Sequence, residues 1–436
     1  MIDIKQLREN KDVVQQSMKA RNESMDLDEL LAMDTNYRSM LADLEALSQQ
    51  KNQANTEIVE LKKSGGDFEA KINEMKSVSQ KIAKNRSIVE DLNKNIHNKL
   101  LHIPNILHKD TPIGNPPEAN ATIFESPKPT KPDFEYKTHV ELGESLGILD
   151  FKNAAKLSGS SFILFRKDGA RLERALINFM IDIHTQEHGY EEVSTPFIVK
   201  RQCMEGTGQL PKFESDMYRV FRGDVELEDG QARAEDFFLI PTAEVPVTNI
   251  MRNETLVDAQ LPVAFVAYTP CFRLEAGAYG KDTKGMNRVH QFDKVELVRM
   301  CKPEDSENQH ELLTQHAKTI FDKLGIPYRV LLLCSGDIGF SAAKCYDIEV
   351  WAPGAGQWLE ASSCSNFYDF QSRRLNLKYK DSTNKVQLAH TLNGSGVALA
   401  RTFIAVLENY QQADGSILIP DVLRPYMGGQ ERIERP

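Results

Sequence analysis

The sequence predicts an α+β protein with an N-terminal hairpin of two long helices, followed by a larger domain built on an antiparallel β-sheet. Two observations favour this fold class. Apolar residues alternate at spacings of three and four over much of the first hundred residues, which is the pattern of a coiled coil. Beyond them, strand-like runs are joined by long loops without regular helix–strand alternation, which favours an antiparallel sheet.

Length and composition set the limits within which this prediction must fall. The chain has 436 residues, of which 41% are hydrophobic and 27% charged, with a formal net charge of -10. This length predicts roughly two to three domains. No apolar run is long enough to span a membrane, and the first residues lack the apolar core of a signal peptide, so we expect a cytoplasmic protein. The acidic charge argues against non-specific coating of nucleic acid but permits a local basic surface.

The cysteines and histidines indicate no metal centre. Six cysteines are scattered without a C-x-x-C pair, which predicts buried thiols and neither a disulfide framework nor a zinc site. The ten histidines form no H-E-x-x-H motif and no nucleophile–base pattern, so none is assigned a catalytic role.

The helical hairpin is predicted from two apolar seams. The first seam consists of Leu30, Met33, Tyr37, Met40, Leu44, Leu47, Ala54, Ile58 and Leu61. It stops at the Ser-Gly-Gly-Asp segment 64–67, which is typical of a helix end followed by a new N-cap. The second seam consists of Phe68, Met75, Val78, Ile82, Val89, Leu92 and Ile96. Two long helices joined by so short a turn must lie antiparallel, with a reach of about 50 Å.

The two predicted helices differ in charge. Residues 27–63 hold four Lys and Arg against seven Asp and Glu, whereas residues 71–100 hold seven against three. One face of the hairpin could therefore meet a phosphate backbone, although a solvated lysine-rich face explains the same pattern equally well. We predict an N-terminal domain over 1–103, with the hairpin over about 27–103.

A proline-rich segment separates the two domains. Seven of the 19 prolines fall between Pro104 and Pro132, so we predict a linker over 104–135 and a second domain over 136–436. Within that domain the patterns predict a helix over 172–187 leading to a strand that ends near 196, two strands over 263–275 and 289–300, and a helix over 396–410.

Charged side chains gather on the two predicted strands of the second domain. Residues of one parity share a strand face, so Arg273 and Glu275 project together, as do Arg288, Phe292 and Glu296. Because buried charges must be paired or bound to a ligand, this surface predicts a charged ligand. Arginines suit phosphate oxygens, and an aromatic ring can stack on a base. A structural ion-pair network on a solvated face is the alternative.

Three further segments offer polar groups of the same kind. Two of these segments each combine a carboxylate and a hydroxyl at a spacing that we predict to be that of a strand: Thr242 with Glu244, and Glu360 with Ser363. Glu360 is a hard oxygen ligand suited to Mg²⁺. We predict that the Asn-Gly-Ser-Gly segment 393–396 opens a helix carrying Arg401, which would place a cation at an anion-binding helix N-terminus.

In this combination the sequence resembles the class II aminoacyl-tRNA synthetases. Residues 172–196, 264–298 and 392–426 resemble their motifs 1, 2 and 3, in that order. The segment 206–213, a motif 2 that reads F-R-x-E-A-G…R-V-H-Q-F, and the coiled-coil arm narrow the resemblance to the seryl-tRNA synthetase family. The sequence departs from the family pattern at Leu274, Tyr279 and Asn287.

The resemblance implies a two-step reaction and its partners. L-Serine and ATP give seryl-adenylate and pyrophosphate, and the 3′-OH of tRNA(Ser) then takes the seryl group. The family further implies Mg²⁺ but no zinc, a homodimer formed through motif 1, and serylation of tRNA(Sec) as well. In the family the arm grips the long variable arm of the tRNA.

The resemblance also implies roles for individual residues. The catalytic residues would be Arg273, Arg288 and Arg401, which hold phosphates of ATP. The implied ATP-binding residues are Arg273, Leu274, Glu275, Arg288, Val289, Phe292, Glu360, Ala361, Ser362, Ser363 and Arg401. The implied serine-binding residues are Thr242, Ala243, Glu244, Arg273, Glu296, Asn393 and Ser395. Glu360 and Ser363 would bind Mg²⁺.

Two other functions fit parts of the sequence. A synthetase paralogue that loads a small amino acid onto a carrier protein usually lacks the tRNA-binding arm, which this chain has. An inactive coiled-coil RNA-binding scaffold would be expected to have broken motifs, yet Arg273, Glu275, Arg288, Glu360 and Arg401 are all present.

Overall fold

The computed structural model describes residues 1–220, 236–275 and 285–435, so Tyr279 lies outside the described residues. The chain divides into two compact units, Met1–Ile106 and Leu107–Pro436. The first unit contains four helices, which are α1 (Ile4–Glu9), α2 (Lys11–Ala20), α3 (Leu27–Ser64) and α4 (Glu69–Leu100).

The long helices α3 and α4 form the predicted hairpin. Asp26 caps the start of α3 by accepting a hydrogen bond from the Glu29 backbone at 2.9 Å. Gly65 ends it in the left-handed region, with φ of 72°, a conformation that glycine adopts without steric cost. The helices contact each other along their length, and Lys99 of α4 lies 2.8 Å from Glu29 of α3. The predicted helical arm is therefore confirmed.

The seam of the hairpin is thin. One apolar cluster within it is made by Ala54, Ile58, Met75, Val78 and Ile82. The other seam positions of both helices are buried or half-buried. Since only one side of each helix is covered, the hairpin presents most of its surface to solvent.

The second unit contains the remaining described helices and all of the described strands. The helices are α5 (His139–Ser145), α6 (Phe151–Ser158), α7 (Asp168–Gln186), α8 (Arg201–Thr207), α9 (Glu244–Asn249), α10 (Ser306–Leu324), α11 (Phe370–Leu375) and α12 (Leu399–Tyr410). The strands are β1 (Ala121–Glu125), β2 (Glu191–Glu192), β3 (Ile198–Lys200), β4 (Arg219–Val220), β5 (Phe237–Leu239), β6 (Thr255–Val257), β7 (Val263–Phe272), β8 (Gln291–Cys301), β9 (Tyr328–Leu332), β10 (Lys344–Ala352), β11 (Gln357–Tyr368), β12 (Lys378–Lys380), β13 (Val386–Leu388), β14 (His390–Ala398), β15 (Ile417–Leu418) and β16 (Arg432–Ile433).

An eight-stranded sheet organises this unit, with strand order β1-β9-β10-β11-β14-β8-β7-β2. Every neighbouring pair in it is antiparallel except the short β2–β7 pair, which confirms the predicted antiparallel sheet. Helices α7, α10 and α12 pack on one face. Alternate residues of β8, such as Val295 and Leu297, bury against these helices in the main core, which leaves Phe292, Lys294 and Glu296 for the opposite face.

The segment predicted as a linker also supplies a strand. Between its proline clusters, β1 pairs antiparallel with β9 and forms one edge of the large sheet. The short run Ala-Thr-Ile-Phe-Glu is rich in β-forming residues. Because a strand at a sheet edge bonds on one side only, prolines can flank it closely without interrupting the ladder.

The helix predicted over 396–410 begins later, at Leu399, and the predicted helix start at 393–396 is wrong. Asn393, Gly394 and Ser395 lie within β14, where they pair with Val298, Leu297 and Glu296. The glycine at 394 reflects close packing, because a Cβ there would lie 2.3 Å from Leu313 Cδ2 of α10. The glycine-rich segment that predicts a helix start marks, in the structure, the close contact of β14 with α10.

Two other local predictions are corrected. Thr242 and Glu244 do not have strand spacing, since Glu244 is the first residue of α9. Strand β7 ends at Phe272, and Glu275 has φ of 49°, so strand parity does not place Glu275 beside Arg273. The strand predicted over 263–275 therefore ends at Phe272, and the strand predicted over 289–300 begins at Gln291.

Candidate active site

A cavity of about 340 Å³ opens on the sheet face opposite helices α7 and α10. It collects most of the residues predicted from the sequence. Those that line it are Thr242, Glu244, Arg273, Glu275, Arg288, Val289, Phe292, Glu360, Ala361, Ser363, Asn393, Ser395 and Arg401. Thr207, Gly208, Gln209 and Phe213 of the segment 206–213 line it as well. Residues far apart in the chain therefore form one continuous wall.

A β-bulge sets the orientation of two predicted metal ligands. Strand β11 pairs with β10 through Glu349 and Glu360, then through Ile348 and Ser362, so Ala361 is an extra residue. In a regular strand, residues three apart point to opposite faces, but the bulge restores Glu360 and Ser363 to the same side. Both consequently line the cavity.

Three arginines line the cavity, of which Arg401 and Arg288 lie at one end and Arg273 lies closer to Thr242. Arg401, in the first turn of α12, donates to the Glu360 carbonyl at 2.6 Å and lies 3.3 Å from the Glu360 carboxylate. Arg288 lies 3.6 Å from the Glu275 carboxylate. Arg273 lies over the Phe292 ring, 5.2 Å from its centroid, and donates through Nε to the Pro241 carbonyl at 3.3 Å. Guanidinium groups held in this way can bind phosphate oxygens.

The other end of the cavity is a polar network around a lysine. Lys294 Nζ donates to Thr242 Oγ1 at 2.8 Å and lies 2.5 Å from Glu296 Oε2. Asn393 donates to Glu296 Oε1 at 2.7 Å. All of these groups lie on neighbouring strands or the loop before α9, so the register of the sheet brings them together.

Glu244 is the second carboxylate of this network. Glu244 Oε1 accepts a hydrogen bond of 2.6 Å from Gln371 Nε2. The side-chain oxygen of Gln371 in turn accepts a hydrogen bond of 2.7 Å from the Thr391 hydroxyl. Burial, and to a smaller extent the nearby charge of Glu296, raise the pKa of Glu244 to about 7 against the opposing effects of Gln371, Lys294 and Arg273. A carboxyl group with such a pKa changes its charge near neutral pH.

Four predicted residues do not line the cavity. Glu296 is fully buried and reaches the cavity through Lys294 and Asn393. Ser362 turns away and donates to the Ser395 carbonyl at 2.6 Å. The backbone N–H of Leu274 donates a hydrogen bond to the Asp216 carbonyl at 3.1 Å. Ala243 is buried in a separate apolar cluster.

Sequence reasoning missed Lys294 and Gln371. Lys294 shares strand parity with Phe292 and Glu296, so a lysine within an otherwise apolar strand was a signal that could have been used. Gln371 lies on α11 and nothing near it in the sequence indicates that it contacts Glu244, more than a hundred residues earlier.

Comparison with known proteins relates both units to one family. Residues 1–107 match the family model of the seryl-tRNA synthetase N-terminal domain. Residues 224–410 match that of the tRNA synthetase class II core domain (G, H, P, S and T). The serine–tRNA ligase of Citrifermentans bemidjiense is 50% identical over 99% of this chain and 100% of that protein. The chain belongs to the seryl-tRNA synthetase family. The serine–tRNA ligase of Listeria innocua, another member, is 48% identical over the full length of both chains.

Solved structures of the seryl-tRNA synthetase family share the fold. The Pyrococcus horikoshii enzyme complexed with ATP matches over 100% of both chains, with a TM-score of 0.90 and 37% identity. The cytoplasmic enzyme of Naegleria fowleri in complex with AMP matches over 100% of this chain and 99% of its own, with a TM-score of 0.85 and 27% identity. The predicted family, class II fold and enzyme class, an aminoacyl-tRNA synthetase, are thereby confirmed.

Residues 1–220, 236–275 and 285–435 contain neither a metal-binding cluster nor a membrane-spanning helix. In these ranges no cluster of three or more His, Cys, Asp or Glu side chains is arranged to hold a metal ion. The six cysteines are unpaired thiols, and burial raises the pKa of several of them, including Cys364 to about 12. None of the helices described there is long and apolar enough to cross a lipid bilayer.

Proposed function

We propose that this member of the seryl-tRNA synthetase family is a serine–tRNA ligase that forms seryl-adenylate from L-serine and ATP and transfers the seryl group to the 3′ end of tRNA(Ser). The proposal is carried by one observation: a single cavity has Arg288 and Arg401 at one end, a network of carboxylates and hydroxyls at the other, and Arg273 between them. The first end suits a polyphosphate, and the second suits an amino acid with an ammonium group and a hydroxyl.

For activation, the serine carboxylate oxygen forms a bond to the α-phosphorus as the bond to pyrophosphate breaks. The protein has to place these groups in line and stabilise the negative charge that moves to the leaving oxygen. Arg273, between the two ends of the cavity, would hold the α-phosphate and the serine carboxylate, while Arg288 and Arg401 would hold the β- and γ-phosphates. Phe292 would stack on adenine, with Glu275 and the Val289 backbone at its polar edge.

The residues at the arginine end fit Mg²⁺. Glu360 and Ser363 provide oxygen ligands on one side of the cavity, and Mg²⁺ is usually bound by one or two protein oxygens together with phosphates and water. The ion would supply further positive charge for the polyphosphate. A second carboxyl group, Asp347, lies nearby, and its removal from water and the charge of Glu360 hold its pKa well above the usual range. We propose that the enzyme uses no zinc.

Serine recognition would come from the opposite end. The ammonium group would meet Glu244 and the Glu296 network, and the hydroxyl would bond to Thr242, Asn393 or Ser395. A site built to hydrogen-bond a hydroxyl rejects an analogue that lacks it by roughly 10⁴–10⁵, because its own polar groups are left unpaired. Alanine should therefore be a very poor substrate, while threonine would be excluded by its extra methyl group.

The N-terminal domain over 1–103 would bind the body of the tRNA. Helix α4 carries the basic excess of residues 71–100, and RNA helices are recognised through phosphate and 2′-OH contacts. We include tRNA(Sec) as a second substrate. We further propose a cytoplasmic homodimer formed through residues 172–196, with a linker over 104–135 joining the N-terminal domain to the catalytic domain over 136–436.

The decisive experiment is ATP–pyrophosphate exchange without tRNA, with serine, threonine, alanine and glycine in parallel. The expected result is exchange with serine and very little with the other three. Exchange with another amino acid would contradict the serine assignment while retaining the enzyme class. Absence of exchange with all four would favour an inactive RNA-binding scaffold. Charging of purified tRNA(Ser), rather than a carrier protein, tests the second step.

A further inference from the structure

Lys294 lies where the serine end of the cavity meets its buried wall. Its side chain is only 7% exposed, yet the residue lines the cavity together with Thr242 and Asn393. It lies on β8 between Phe292 and Glu296, and the alternation of the strand directs all three to the same face. Burying a lysine costs folding free energy unless its charge is paired. A lysine at this buried position therefore suggests that its charge has a specific role.

The hydrogen bonds of Lys294 fix the direction of a second group. Thr242 Oγ1 accepts from Lys294 Nζ at 2.8 Å and from the Glu244 backbone N–H at 3.2 Å. A hydroxyl oxygen has two lone pairs, and these two donors use both. The Thr242 hydroxyl proton is therefore left to act as a donor, and the residue faces the cavity. Without Lys294 the hydroxyl could rotate and serve as an acceptor instead.

The charge of Lys294 also decides how many cations the pocket can take. Two carboxylates, Glu244 and Glu296, face this end of the cavity or lie directly behind it. Lys294 balances Glu296, which leaves one carboxylate for one incoming ammonium group. A substrate with a single ammonium, a carboxylate for Arg273 and an oxygen that accepts from Thr242 matches this arrangement group by group.

We propose that Lys294 is a positioning residue for amino-acid specificity: it holds Thr242 as a hydrogen-bond donor toward the substrate hydroxyl oxygen and reserves one carboxylate for the substrate ammonium. This inference rests on the proposed serine–tRNA ligase activity. It assigns the preference for serine over alanine in part to a residue that need not contact the reacting atoms.

Lys344 provides a matched control. It too is a buried lysine on a strand of the large sheet, with 8% of its side chain exposed. Its ion pairs are with Glu307 and Glu311 of α10, at 3.0 and 3.7 Å, on the face away from the cavity. Replacing Lys344 therefore removes a buried lysine charge, although its partners Glu307 and Glu311 are partly exposed, without touching the Thr242–Glu296 network.

The test compares Lys294→Met with Lys344→Met by ATP–pyrophosphate exchange. For Lys294→Met we expect the serine KM to rise roughly ten- to a hundredfold, with an ATP KM within about twofold of wild type, because a buried charged hydrogen-bond network loses its centre. The ratio of kcat/KM for serine over alanine should fall by about tenfold. Lys344→Met should change neither quantity, although it should lower the melting temperature.

A chemical rescue separates positioning from structural support. In Lys294→Ala, added n-propylamine hydrochloride should lower the serine KM toward wild type by restoring an ammonium group, whereas n-propanol of nearly the same shape should not. If Lys294→Ala does not fold, Lys294→Arg replaces it and should keep most of the serine-over-alanine preference that Lys294→Met loses. An unchanged serine KM in Lys294→Met, equal losses for serine and ATP, or rescue by propanol would overturn the inference. Absence of serine exchange in the wild-type enzyme would instead overturn the proposed function.

Discussion

The two units of the molecule achieve order in opposite ways. In the helical unit, the hairpin is built from neighbours that recur every three or four residues, and its seam leaves side chains such as Ile58 and Ile82 9% exposed. In the catalytic unit, side chains such as Leu297 and Leu313 are completely buried, and key contacts join residues about a hundred or more positions apart. A repeating local pattern is enough to form a reaching device, whereas a binding site needs a sheet with one fixed register.

The difference extends to charge. On the hairpin, ion pairs such as Lys99–Glu29 lie at the surface, where they contribute little to stability. In the catalytic unit, Lys294 and Glu296 are almost fully enclosed, so removing one partner leaves the other charge buried and unpaired. We therefore expect hairpin changes to affect tRNA use selectively and changes in the cavity to affect activation.

The largest effect is expected from shortening the hairpin. Removing three heptads from each helix, residues 39–59 and 74–94, keeps the seam in phase and retains the fully buried Leu30 at its base. Loss of a set of phosphate contacts should lower tRNA(Ser) charging by at least about a hundredfold. Pyrophosphate exchange without tRNA should stay within about twofold of wild type.

The control is a full-length variant in which Lys51, a half-buried lysine of α3, is replaced by Gln. It should charge tRNA nearly as well as wild type. Normal charging by the shortened chain would contradict a role of the hairpin in tRNA binding, and loss of exchange would mean that the hairpin also supports the catalytic unit.

A tenfold effect is expected from pH at the serine end. The pKa of Glu244 is raised to about 7, so this carboxyl group is neutral below that pH and cannot pair with the serine ammonium. The serine KM for exchange should therefore fall as pH rises toward 7, by up to about tenfold per unit, and level off above it. The ATP KM should show no matching change.

Glu244→Gln tests whether this residue is the titrating group. The variant should have a high serine KM that varies little between pH 5.5 and 8.5. If the wild-type profile persists in Glu244→Gln, the dependence belongs to another group. A serine KM that rises with pH in the wild-type enzyme would contradict the sign derived from burial.

The smallest effect is expected from a single seam residue. Ile58→Ala on the hairpin should cost about 1–2 kcal/mol of local stability, because its site is only partly enclosed and can relax. Leu313→Ala, in the fully buried core, should cost about 3–5 kcal/mol. Chemical denaturation measures both, and hydrogen exchange should confine the first loss to the hairpin. Equal costs would remove the contrast drawn between the two units.

Much of the fold was predictable from local signals. The seams, the break at the double glycine and the strand runs are short-range patterns, and the hairpin and antiparallel sheet follow from them. The helix start at 393–396 could not be placed correctly, because a glycine needed for close packing against Leu313 has the same local signature as one that ends or begins a helix. The edge strand β1 was hidden by its flanking prolines.

The sequence alone determined the family, the two-unit organisation and the residue types of the cavity. Motif residues and heptads can be recognised without knowing which residues they contact in the folded protein. Only the tertiary structure decided how those residues meet. The bulge at Ala361 turns Glu360 and Ser363 to one side, and the pairing of β8 with β14 places Asn393 on Glu296. Lys294 and Gln371 entered the site in the same way. Strand register and bulges depend on packing over the whole sheet, so they cannot be predicted from the sequence of any one segment.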